Sequence, residues 1–159
     1  MTSITPEEDL TLLVTALHAA FDTKTLTRLA EAGFGDLRQV HGYVFQHLVP
    51  GPIRVSDLAH KLGMTPQGAS KFVIELEGLG YVRRRVDPDD QRNRMVELTE
   101  HGWDGINATR RIRVEINEDA RALLGEADTT QLIDALRRLA EQTGGLQELL
   151  GRRLRPGRD

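Results

Sequence analysis

Apolar residues recur along most of this chain at three- and four-residue steps, the spacing of helices with one buried face. Leu10, Leu13, Val14, Leu17 and Phe21 set such a stripe between Pro6 and about Leu29, with Thr5 as N-cap and Pro6 at the first helical position. Gly33 and Gly35 end it. A second helix, about Asp36 to Leu48, buries Leu37, Val40, Val44, Phe45 and Leu48 before Pro50-Gly51-Pro52 stops it. A short extended piece, Ile53-Arg54-Val55, leads to Ser56 as N-cap of a helix through Leu62, closed by Gly63. Thr65 caps the next helix and Pro66 begins it; Ala69, Phe72, Val73, Leu76 and Leu79 point inward, and Gly80 ends it. Two short helices joined by a tight Gly-Met-Thr connection form a helix-turn-helix pattern.

The period then changes from 3.6 to two. Val82 and Val86, then Val96 and Leu98, alternate with arginines on either side of Asp87-Pro88-Asp89-Asp90, which predicts a β-hairpin with a long polar tip. Thr99 or Glu100 opens a long helix through about Leu124, with Trp103 read as a core anchor. Ala127 to Glu141 forms another helix carrying Leu132, Ile133, Leu136 and Leu139. Gly144-Gly145 interrupts it, and Leu146, Leu149, Leu150 and Leu154 continue an apolar stripe. The fold expected is mainly α with a small β-wing: a winged helix-turn-helix with N- and C-terminal dimerisation helices. Residues 1–50 are expected to supply N-terminal helices that dimerise and support the head, 51–100 the DNA-binding head, 101–154 the C-terminal dimerisation helices, and 155–159 a flexible tail.

Composition narrows the classes. At 159 residues, 39% hydrophobic and 28% charged, the chain suits one compact domain or two small lobes sharing a core. The longest uninterrupted apolar runs are only a few residues, such as Leu12 to Val14, so no membrane span is expected, and Met1 to Leu10 lacks the order of a signal peptide. A cytoplasmic location follows. The absence of cysteine excludes disulfides, thiolate zinc sites and thiol redox sensing. His18, His41, His47, His60 and His101 make no His-x-x-x-His pair, so no metal is expected. No phosphate-binding loop or nucleophile–base motif is present; neither enzymatic activity nor a cofactor is expected.

The net charge of −3 first argues against a nucleic-acid partner, but its distribution reverses the inference. Residues 1–50 hold three basic and six acidic groups, whereas 51–102 hold eight of each and 103–159 ten of each. Within the balanced middle, Arg83, Arg84, Arg85, Arg92 and Arg94 crowd around one acidic turn. An α-helix fits the major groove, and residues near its start meet base edges. There Gln67 can bond adenine, Ser70 a base or a phosphate, and Lys71 guanine or a phosphate, while Gly68 allows close backbone approach. Ser56, Thr65 and Pro66 at the two helix starts complete this DNA-facing set. Arg92 and Arg94 suit a narrow minor groove, and Arg83 and Arg85 share a face toward phosphates. Arg84 lies on the opposite face with Val82 and Val86, where a structural pairing with Asp87 or Asp90 is expected. His41, Tyr43 and His47, polar groups amid Val44, Phe45 and Leu48, are candidates for lining a ligand pocket.

Val55-Ser56-Asp57-Leu58-Ala59, Leu62-Gly63-Met64-Thr65, Leu76-Glu77-Gly78-Leu79-Gly80-Tyr81-Val82, Asp87-Pro88-Asp89-Asp90-Gln91-Arg92 and Val96-Glu97-Leu98-Thr99-Glu100-His101-Gly102 together resemble the MarR family of transcriptional regulators. Close agreement covers about residues 53–102. The resemblance implies a homodimer whose winged heads read a pseudo-palindromic double-stranded DNA operator, often a repressor released by a small phenolic or other aromatic ligand. Glycine at 68 departs from the bulkier residue of many members, so base preference does not transfer; the chain also runs past the usual last helix. A ligand-independent winged-helix module with an architectural or protein-interaction role is the alternative, separated by sequence preference.

Overall fold

The computed structural model describes residues 5–88, 90 and 94–151. In chain order it contains α1 (Leu10–Glu31), α2 (Gln39–Leu48), β1 (Ile53–Arg54), α3 (Val55–Leu62), α4 (Pro66–Gly78), β2 (Val82–Val86), β3 (Arg94–Leu98), α5 (Glu100–Leu124), α6 (Glu126–Gln142) and α7 (Gly145–Gly151). The mainly helical chain with a small antiparallel sheet matches the expected class. Leu154 and the tail from Arg155 lie outside the described residues.

Two helix starts differ from expectation. Helix α1 begins at Leu10 rather than Pro6, because Asp9 is the N-cap: its carboxylate accepts from the backbone N–H of Thr11 (2.9 Å) and Leu12 (3.2 Å). Helix α3 begins at Val55, with Arg54 as N-cap, so Ser56 is an exposed residue of the first turn and not the cap. The reason lies in the sheet. Arg54 pairs with Met95 as the end of β1, and its extended backbone turns directly into the helix.

The sheet order is β1-β3-β2, with Val82 opposite Leu98, Arg84 opposite Val96 and Val86 opposite Arg94. Val82, Val96 and Leu98 turn inward onto Leu58 and Leu62 of α3, Val73 and Leu76 of α4, and Val44 and Leu48 of α2. Ile106, Ala108, Ile112 and Ile116 of α5 join the same core, which fastens the head to the long helix. Burial of each such valine, leucine or isoleucine side chain stabilises the fold by about 1.5–3 kcal/mol.

The joint between head and α5 is tight. Thr99 N–H donates to the Tyr81 carbonyl (3.0 Å), and Thr99 Oγ1 donates to the Gly80 carbonyl (2.6 Å) while accepting from Gly102 N–H (3.0 Å). Tyr81 is fully buried, donates its hydroxyl to Asp36 Oδ1 (2.5 Å) and stacks on His101. Burial, with Asp36 beside it, raises the Tyr81 phenol well above its ordinary pKa. Trp103, read as a core anchor, is instead 37% exposed. Gly102 and Ile106 take the inward side of α5, and position 103 lies about 100° around the helix from Gly102.

Helix α1 lies along α5, with Lys24 and Arg28 bonded to Asp119 (2.6 and 2.8 Å) and Arg28 also to Glu115 (3.0 Å). The α1 stripe of Leu10, Leu13, Val14 and Leu17 nevertheless remains exposed, as do Leu132, Ile133 and Leu139 of α6 and Leu149 and Leu150 of α7. Among the described residues, no helix is long and apolar enough to cross a membrane.

Candidate nucleic-acid interface

The helix-turn-helix is shaped by three local devices. Gly63 adopts the left-handed conformation (φ 67°) at the end of α3, a backbone state that side chains with a Cβ disfavour. Thr65 caps α4 by accepting from Gly68 N–H (3.1 Å), and Pro66 occupies the first position, where its missing N–H has no cost. Gly68 also has a reason within the fold: an added Cβ would press on the capping Oγ1 of Thr65 at 3.3 Å.

Helix α4 buries Ala69, Val73 and Leu76 and turns Gln67, Lys71, Ile74 and Gly78 to solvent, with Ser70 half-buried at the margin. Both acids of α4 are held by arginines to the sides of that stripe. Glu75 bonds Arg38, the N-cap of α2, and Glu77 receives Nε of Arg84 (2.8 Å) and its backbone N–H (3.1 Å). The Arg84 hydrogen bond holds the Glu77 carboxyl below its usual range. Lys71 makes no ion pair among the described residues.

In the wing, Arg84 finds an acid outside the two expected, since Glu77 comes from α4 and ties the hairpin to that helix. Asp87 is buried and receives Nε of Arg54 (2.6 Å), a cross-link from β1 to the hairpin. Asp90 is half-buried. Arg83 and Arg85 share Glu97 (2.7 and 3.2 Å), so two guanidiniums face one carboxylate and that surface stays cationic. Arg94 opens β3 with an exposed side chain. Arg92, expected with Arg94 to suit a narrow minor groove, and Asp89 lie outside the described residues.

The expected ligand-pocket trio is divided. A cavity of about 350 Å³ lies between α1, α2 and α5, lined by Phe21, Leu29, Arg38, His41, Phe45, Arg113 and Ile116 among others, and by neither Tyr43 nor His47. Two residues along a helix is a turn of about 200°, so Tyr43 faces away from His41, and His47 follows Tyr43. A neighbouring cavity of about 300 Å³ shares Gly42, Phe45, Thr109 and Arg113 with the first. Among the described residues, no group of three or more His, Asp or Glu is arranged to hold a metal.

His41 is fully buried and links this cavity to α4. Its Nδ1 accepts from Arg38 N–H (3.2 Å), which assigns the proton to Nε2, 3.4 Å from Glu75 Oε1. Burial lowers the His41 pKa below its usual 6.5, with Arg38 adding to the effect and Glu75 and Asp36 opposing it. The unfolded chain therefore takes up this proton first as pH falls below 6.5, and stability present at neutral pH declines until the folded value is reached. A His41→Gln variant should lose less stability than wild type between about pH 7 and about pH 5, read as urea midpoints. Equal losses would show that His41 titrates alike in both states.

Residues 49–93 match the model of the MarR family. The match covers the middle of the chain, from the end of α2 to the wing. A curated relative, the uncharacterized HTH-type transcriptional regulator YdgJ of Bacillus subtilis, is 26% identical over 95 residues. The match covers 60% of this chain and 58% of that protein, so the chain spans less than two thirds of this relative's length. Among solved structures, the YusO protein of Bacillus subtilis superposes with a TM-score of 0.72 at 20% identity, covering 89% of this chain and 99% of that one. A mutant of S. aureus MepR bound to an oligodeoxyribonucleotide gives a TM-score of 0.65 at 20% identity, covering 85% and 98%. Both likenesses concern the fold.

The segment matching the MarR model runs through the α3–α4 unit into the wing, and the helices at both ends lie outside it. Arg38, Arg54, Glu75, Glu77 and Arg113 were not singled out by the sequence pattern, because their partners or cavity neighbours come from other elements. Ile74 was, by contrast, within reach: it lies seven residues after Gln67, on the same helical face.

Proposed function

We propose that this chain is a homodimeric transcriptional regulator of the MarR type that binds a specific pseudo-palindromic site on double-stranded DNA. Helix α4 enters the major groove, and the wing arginines approach phosphates and the minor groove. The observation that carries this reading is the α4 stripe: Gln67 and Lys71 face solvent while both acids of the helix are bonded to Arg38 and Arg84. A helix so arranged offers hydrogen-bonding groups and positive charge without a repelling carboxylate. The exposed apolar stripes of α1, α6 and α7 support a second copy as their cover, with residues 1–50 and 101–154 forming the dimer lobe.

The reading extends to repression relieved by a small aromatic or phenolic ligand. The α1–α2–α5 cavity supports it, since apolar walls from Phe21, Phe45 and Ile116 meet Arg38 and Arg113. Arg113 makes no ion pair among the described residues and suits an acidic group on such a ligand.

Binding to genomic fragments selected by the protein, compared with random duplex at physiological salt, tests the core of the proposal. A specific regulator should prefer its site by about 10³-fold or more, with half-sites about 10 bp apart. Equal affinities would favour the architectural module instead. Benzoate added to the same titration should weaken specific binding in wild type and less so in Arg113→Gln; indifference in both would remove the ligand switch alone.

A further inference from the structure

Ile74 is the one large aliphatic side chain on the exposed stripe of α4, at 54% exposure. It stands between Lys71 and Gly78, on the face opposite Ala69, Val73 and Leu76. The other conspicuous exposed apolar residues of the helices lie on α1, α5, α6 and α7, which form the lobe proposed to dimerise. Helix α4 packs instead on α2, α3 and β2, so Ile74 belongs to no part of that lobe. Its surroundings are polar or cationic on one side and bare backbone on the other. An added Cβ at Gly78 would meet nothing within 4 Å, so the helix there has open space in front of it.

We propose that Ile74 is a specificity-determining residue that recognises the 5-methyl group of a thymine in the major groove. This rests on the DNA-binding reading above and adds a residue to it. The chemistry follows from what the groove displays: hydrogen-bonding groups are shared in kind among bases, but thymine alone presents a methyl, which an apolar side chain can bury. Gln67, Lys71 and Ile74 rise along one face at about 1.5 Å per residue, so Ile74 lies about 10 Å from Gln67 along the helix axis. That distance corresponds to about three base steps at 3.4 Å each. Gln67 and Ile74 therefore address different base pairs, with Lys71 between them and able to meet a base or a phosphate. The stripe then combines a polar contact, a cation and an apolar contact. Gly78 beyond them removes the side chain that would hold the next turn away from the duplex.

The test uses full-length protein and a site that the wild type itself selects. Each thymine of the half-site is replaced, symmetrically in both halves, by deoxyuridine, which keeps base pairing and lacks the methyl. Wild type should lose about fourfold in affinity per half-site at one thymine, as expected for one methyl no longer buried. Ile74→Ala should bind the thymine site more weakly than wild type and show no further loss on deoxyuridine substitution at that position. Its thermal midpoint should equal that of wild type, because the side chain is exposed. If Ile74→Ala keeps the same sensitivity to that methyl, or if no thymine methyl affects wild type, the assignment of Ile74 is overturned while the DNA-binding reading stands. If wild type selects no site at all, both are overturned.

Discussion

Gly102→Ala is expected to lower stability by about 2–4 kcal/mol, although the same change elsewhere in a helix usually gains up to about 1 kcal/mol. The sign is therefore diagnostic. An added Cβ would stand 2.2 Å from the Tyr81 carbonyl oxygen and 3.1 Å from Leu98 Cδ2. Neither neighbour yields easily. The Tyr81 oxygen is backbone and accepts the Thr99 N–H, while Leu98 is buried on the sheet. Relief requires α5 to move away from β2, which would loosen the Thr99 bonds and the Tyr81–His101 stack together. For a chain of this length the loss corresponds to a fall of roughly 5–15 °C in unfolding midpoint, measured at fixed protein concentration. Gly78→Ala is the control: nothing lies within 4 Å of its added Cβ, and stability should hold or rise slightly. Equal behaviour of the two variants would refute the steric account of the Thr99–Gly102 joint.

Lys71→Glu should reduce DNA affinity by at least about 100-fold and make the dependence of log K on log salt shallower by about two units. The proposed dimer sets one Lys71 at each half-site, and each phosphate no longer neutralised removes close to 0.9 from that slope. No side-chain partner compensates, because Lys71 is exposed and has no ion pair among the described residues. The same exposure predicts an unchanged unfolding midpoint, which separates loss of binding from loss of fold. A parallel titration from about 50 to about 200 mM salt reads the slope directly. An unaltered slope would place Lys71 away from the phosphates and weaken the proposed docking of α4.

What could be read from the sequence was local. Gly63, Thr65 and Pro66 mark the turn between α3 and α4 because backbone conformation and capping act within a few residues, and the Thr99-x-x-Gly102 start of α5 is legible for the same reason. Gly102 appears in the sequence only as part of a motif; the Tyr81 carbonyl that requires it appears in the folded chain. Position errors arose where two local signals compete, as at Thr5 and Asp9, or where a strand runs directly into a helix, as at Arg54. Long-range pairings were out of reach. Glu75 meets Arg38 across 37 positions, and Arg54 meets Asp87 across 33. The grouping of His41, Tyr43 and His47 failed for a different reason, since the 3.6-residue period already sets Tyr43 on the other side of α2 from His41. Exposure of the α1 and α6 stripes, finally, reflects a surface whose proposed cover is a second copy of the chain.

Arg38 borders the cavity and also bonds Glu75 of α4, so one guanidinium faces two potential claimants. An anion that draws it into the cavity does so at the expense of its hold on Glu75. Equilibrium binding then carries an obligation in both directions. If such an anion weakens the grip of α4 on DNA by some factor, DNA must weaken the grip of the cavity on the anion by that same factor. Sensitivity to a dilute effector would therefore be set partly by how much operator is present, and a cell with more binding sites would need more effector to empty them.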